Sequence, residues 1–183
     1  FEVRRIAARA FSLQQAEVFY LPPVPVLEAT ALGHAGFAAD LLFLRGVSYF
    51  ITHLFADRSF PWLDAYLERV VALDPNNAAV YEWAMKVVKY RQLITNEVID
   101  ESNRWAERGI EVFPDNWKFY LEIGFNHYFE RDFQSDEDRT KWQRKAVDYF
   151  MIASSLPGSR LDPNFVTELY LRHNEREMAL LDV

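Results

Sequence analysis

The chain has 183 residues, of which 50% are hydrophobic and 16% aromatic, enough for one domain with a sizeable core and too apolar for a disordered segment. It contains no cysteine, which excludes disulfides, thiolate metal sites and cysteine nucleophiles. The net charge is −7 and all of it lies in the second half: residues 1–91 balance nine basic against nine acidic side chains, while residues 92–183 carry eleven against eighteen. Phosphate binding needs a positive surface, so nucleic acid is a poor partner.

Six glycines and eight prolines are few for this length, which disfavours an all-β fold with many tight turns. Apolar residues recur instead with helical spacing, as at Tyr81, Ala84, Met85 and Val88, and strand-like alternation is not sustained. Breakers at Leu21-Pro22-Pro23, Phe60-Pro61, Asp74-Pro75-Asn76-Asn77, Pro114-Asp115-Asn116, Leu156-Pro157-Gly158-Ser159 and Asp162-Pro163-Asn164 cut the chain into predicted helices. These run over 3–18, 24–32, 35–55, 61–73, 77–93, 96–112, 116–131, 137–155 and 163–180.

The first of these, rich in Arg, is read as a lead-in helix packing on the first helical hairpin, with a basic amphipathic membrane-surface helix as the alternative. The run from Ala35 to Ala56 is long enough to span a bilayer, but Asp40 and Arg45 would each cost roughly 2.5–3.5 kcal/mol near a membrane helix centre. It is therefore expected to be a buried helix of a soluble fold, with Asp40 contacting an Arg or a helix terminus from the preceding segment. Pro61 suits a first helical position, and Asn77, Asn96 and Asn116 suit N-caps. Most of the five tryptophans are expected in the core, packing helix on helix.

A fixed period runs through these helices. Pro75 and Pro114 are 39 residues apart, as are Gly46, Met85 and Gly124 in succession, and as are Leu63 and Ser102. Ala146 follows Ser102 by 44, so the third unit carries about five extra residues, which map onto the charged stretch Gln134 to Thr140. Read in this register, Leu42, Arg45, Gly46 and Tyr49 match Tyr81, Ala84, Met85 and Val88, and then Tyr120, Ile123, Gly124 and His127. On the second helices Ala146, Ala153 and Pro157 match Ser102, Gly109 and Pro114, with Leu63, Val70 and Pro75 fitting in spacing but not in size.

These residues resemble the tetratricopeptide repeat family, whose period is 34 residues. The longer period here implies longer helices and departs from a strict superhelix. The resemblance implies an all-α, right-handed solenoid of about three helical hairpins over 35–160, with lead-in helices over 1–34 and a solvent-capping helix over 161–183. The string from Tyr20 to Arg45 is also similar to the opening of a group of bacterial tetratricopeptide proteins that often carry an N-terminal membrane anchor. That similarity implies a cell-envelope location, periplasmic or membrane-anchored, in preference to the cytoplasm, with the membrane reached through a segment before Phe1.

No phosphate loop, dinucleotide fingerprint, HExxH pair or nucleophile elbow is present, and the four histidines are scattered. His127 has Glu130 and Arg131 near it on one helix face and is expected to fill an inter-helix contact. The acidic run Asp136-Glu137-Asp138 suits the first turn of a helix. No catalytic residue, metal site or cofactor is assigned. The expected activity is non-catalytic: an adaptor or scaffold that binds a peptide or helix of a partner protein in a concave groove, or alternatively a structural subunit of a large assembly. By the family resemblance the groove positions are Phe43, Val47 and Phe50, then Glu82, Lys86, Lys89 and Tyr90, then Leu121, Phe125, Tyr128 and Phe129. Lys86 and Lys89 are placed to meet one carboxylate, unless residues 1–33 fill the groove first.

Overall fold

Local signals set where three of the helices begin. Asn77 and Asn116 act as N-caps, accepting from the amides of Ala79 and Lys118 at 3.2 and 3.3 Å. Ser135 does the same for Asp138 at 3.1 Å, above a first turn whose three carboxylates suit the helix dipole.

The computed structural model describes residues 21–90 and 93–181, with side chains to Arg172. Its described residues form helices and no strand: α1 (Val24–Thr30), α2 (Ala35–Phe55), α3 (Leu63–Leu73), α4 (Ala78–Val87), α5 (Asn96–Val112), α6 (Trp117–Phe125), α7 (Asp136–Ser155) and α8 (Pro163–Leu181). The helix predicted over 3–18 lies outside these residues. One predicted start and one predicted cap move. α3 begins at Leu63 rather than Pro61, with Trp62 before it. Thr95, not Asn96, precedes α5. The Asn96 side chain instead pairs reciprocally with the backbone of Asp132, donating to its carbonyl and accepting from its amide, both at 3.0 Å.

Consecutive helices pack as pairs, α2 with α3, α4 with α5 and α6 with α7, and α8 lies on α7. The short links turn the chain back at each step. In the first pair Gly46 meets Tyr66 and the Tyr49 hydroxyl accepts from the Trp62 amide at 3.3 Å, so residue numbers rise on one helix as they fall on the other. The same antiparallel order joins α5 to α6.

The periodic residues share one setting. Gly46, Met85 and Gly124 are all buried where a first helix crosses its partner, against Tyr66, against Ser102 and against Phe150 with Ala146. Leu63, Val70, Ser102, Gly109, Ala146 and Ala153 are buried as well. Spacing at these positions therefore reports how closely the helices approach.

Three expectations are corrected. α2 is long and apolar enough to cross a membrane, yet only 28% of that window is buried, because one face packs on α3 and the other stands open among the described residues. Asp40 is exposed rather than buried, and its partner is Asn77 Nδ2, at the start of the following rather than the preceding first helix, 3.4 Å away. Of the tryptophans only Trp105 is fully buried; Trp83, Trp117 and Trp142 are half-buried and Trp62 is exposed. α8 buries Val166 and Leu169 on α7, while Tyr170 and Leu171 are exposed, Tyr170 beside a shallow cavity of about 260 Å³ lined also by Met151, Ser154 and Thr167.

The close crossings yield a test. A methyl at Gly109 would sit 2.6 Å from the Phe119 ring, and one at Gly124 would sit 2.7 Å from Phe150 and 3.2 Å from the Ala146 carbonyl. Gly109→Ala and Gly124→Ala should each lower stability in urea by about 1–3 kcal/mol despite better helix propensity. Gly36→Ala, where nothing lies within 4 Å, should be neutral or stabilising by up to about 1 kcal/mol.

Candidate functional site

The first helices of the three pairs run side by side in the same direction. Phe43 and Phe50 of α2 meet Trp83 of α4 edge-on at 5.5 and 5.7 Å, and Phe50 also meets Tyr90 at 6.0 Å. Farther along, α4 is joined to α6 by polar groups. Glu82 accepts from Lys118 at 2.8 Å and from the Asn116 side chain at 2.9 Å. Burial would raise the pKa of Glu82, but these hydrogen bonds and the charges of Lys118 and Lys86 outweigh it and hold the carboxyl below the usual range.

Lys89 is the centre of the second junction. Its ammonium donates to Glu122 Oε1 at 2.6 Å, Asn126 Oδ1 at 2.9 Å and Glu130 Oε2 at 2.9 Å, so all three of its donors are used. The network continues inward. Asn126 Nδ2 donates to Ser102 Oγ at 2.9 Å and Asn103 Oδ1 at 2.8 Å, and the Ser102 hydroxyl donates to the Met85 carbonyl at 2.6 Å. Burial by itself would lower the pKa of Lys89; the two carboxylates reverse the sign and raise it above 10.5.

Backbone geometry makes this row. Past Phe125, α6 widens into a π turn over Asn126–Glu130, closed by the Arg131 amide donating to the Asn126 carbonyl at 3.0 Å. Residues eight apart on an α-helix diverge by about 80° around the axis. The extra residue per turn of a π segment takes back much of that drift, which keeps Glu122, Asn126 and Glu130 in one line facing Lys89. The same turn inserts His127 between α6 and α7, where its ring lies 4.6 Å from that of Trp142 and its Nδ1 is buried without a hydrogen-bond partner. Burial, with the charges of Lys145 and Arg131, pushes its pKa down to about 3, so it is neutral at ordinary pH. Arg131 closes the far face, 3.8 Å over Trp142 and paired with Asp100 at 2.8 Å. Among the described residues no three His, Asp or Glu side chains gather as a metal site requires.

The eleven predicted groove residues fall into three groups. Phe43, Phe50, Leu121 and Tyr128 are occupied by internal packing, the last two against the α7–α8 core, and Val47 is half-buried. Glu82 and Lys89 are held in ion pairs within the chain. Lys86, Tyr90, Phe125 and Phe129 face outward, the aromatics 61%, 43% and 52% exposed. Lys86 and Lys89 thus cannot share an incoming carboxylate: Lys89 already holds two. The expectation that residues 1–33 fill the groove falls partly outside the described residues, and α1 packs against α2 and α3.

No protein-family model matches the chain, and neither does any curated protein.

Two measurements check the site. Lys89→Met strands two half-buried carboxylates and should cost about 2–4 kcal/mol at neutral pH. The difference from wild type should hold steady up to about pH 9.5. Because the folded pKa is raised, it should shrink as pH climbs past the unfolded value of 10.5. His127 has the opposite sign. Its depressed pKa means the unfolded chain binds the proton first, so wild type should lose stability relative to His127→Phe as pH falls below 6.5. A loss of about 1–2 kcal/mol by pH 4 is expected, less than the full linkage slope because solvent screens part of the penalty.

Proposed function

We propose that this chain is a non-catalytic adaptor built of three tetratricopeptide-like hairpins in a right-handed solenoid, and that it binds an apolar peptide or helix of a partner protein. The observation that carries the reading is the outward aromatic set on adjacent first helices. Phe125 at the end of α6 and Phe129 in the π turn that follows lie 5.1 Å apart, and Tyr90 stands just past the end of α4, with Lys86 exposed one turn earlier. Exposed aromatics held on rigid helices present contact area at low entropic cost, which suits an anchor residue of a partner. Lys86 supplies one cation for an acidic group near that anchor. The shared setting of Gly46, Met85 and Gly124 supports the repeat assignment.

A second reading, a structural subunit of a larger assembly, is favoured by the open apolar face of α2, which is larger than a free adaptor usually tolerates.

Affinity capture from cell extract with the wild-type chain and with a Lys86→Glu, Phe125→Ala, Phe129→Ala variant tests the adaptor reading. These side chains are exposed, so the variant should stay folded by circular dichroism. It should lose at least about tenfold of any specifically recovered protein, since anchor residues carry more than 1 kcal/mol each. Recovery of the same proteins at the same level by both would overturn the groove assignment.

A further inference from the structure

The outer face of α2 carries Phe37, Leu41, Leu44, Ile51 and Phe55, exposed by 65, 53, 64, 49 and 84%. With the exposed Ser48 they form a single stripe whose steps are four, three, four, three and four residues. That is the seam spacing of paired helices. Among the described residues it is also the end face of the stack. Leu41, Arg45 and Ser48 correspond, at the 39-residue period, to Val80, Ala84 and Val87 of α4 and to Phe119, Ile123 and Asn126 of α6. All six of those are buried, whereas all three on α2 are exposed. Just before α2, where a second helix of a preceding unit would lie, stands α1, seven residues against the 21 of α2 and with none of them buried.

We propose that a second copy of this chain covers the stripe, the two α2 helices packing antiparallel about a two-fold axis level with residue 46. The stripe is self-complementary in this arrangement. Its spacing reads the same in both directions: Phe37 meets Phe55 of the other copy, Leu41 meets Ile51, and Leu44 fills the space left by the small Ser48. A surface that pairs with itself under two-fold rotation closes into a dimer and does not propagate. The area also suffices. The five side chains expose on the order of 600 Å² per copy, so the pair would cover roughly 1,200 Å², the lower limit of stable interfaces. Salts such as sulfate favour apolar burial and should tighten the association. The inference is independent of the groove.

Sedimentation equilibrium of the whole chain tests it. The mass should double from 21.5 kDa over the low micromolar range, and the dimer should strengthen in sodium sulfate. Leu44→Glu should weaken association by roughly a hundredfold with helical circular dichroism unchanged. The absence of cysteine allows a direct check of orientation. Arg45→Cys should join to its own copy through a short bismaleimide, while Gly36→Cys, about 30 Å from its counterpart in the antiparallel pair, should not. A wild-type monomer at about 100 µM, open-ended higher oligomers, or both cysteine variants cross-linking equally would each overturn the proposal. So would a monomer that Leu44→Glu unfolds, an outcome that would assign the stripe to another segment of the same chain.

Discussion

The absence of a side chain at Gly109 and Gly124 sets how near the helices lie, and the rest of the molecule depends on that distance. The Phe119 and Phe150 rings occupy the space a methyl would need. Each ring is fully buried, so it couples one helix to the next across the gap. Gly46 plays the same part less strictly, with the Tyr66 side chain 3.3 Å from where its Cβ would be. Helices this close leave no freedom to slide, and that fixes the axial register on which the polar contacts depend.

The Lys89 network needs that register. A buried ion pair is weak evidence for stability, since desolvation offsets much of its attraction, but it penalises every arrangement in which a partner is missing. Here three donors meet three acceptors, and Asn126 passes the constraint on to Ser102 and Asn103 of α5. Sliding α6 by one turn against α4 would leave charges buried and unpaired. The network therefore selects one stacking of the second and third pairs, and the π turn in α6 is the local distortion that makes the selection possible.

The helices and their period were legible in the sequence because both rest on patterns that repeat along the chain, such as the caps at Asn77 and Asn116 and the small residues at Gly109 and Ala153. What could not be read depends on what lies across from a residue. Hydropathy marks α2 as apolar but cannot say whether both faces are covered, so the open stripe looked like core. Lys89 resembled a surface partner of Lys86 because its acceptors are more than 30 residues away. A signal existed: Glu122, Asn126 and Glu130 at steps of four on one predicted helix, with Lys89 one period earlier. Asn96 misled for a simpler reason. An asparagine before a helix can cap its own chain or clasp another, and here it clasps Asp132.

The two seams between successive first helices are made of different materials. The seam from α2 to α4 is a stack of rings, Phe43, Phe50, Trp83 and Tyr90, whereas that from α4 to α6 is a ladder of charges and amides. Ring stacking is indifferent to ionic strength and weakens in the cold, while a charge ladder weakens in acid as its carboxylates take up protons. One short polypeptide thus joins its helix pairs through two seams with separate weaknesses, and the kind of stress applied decides which of them yields first.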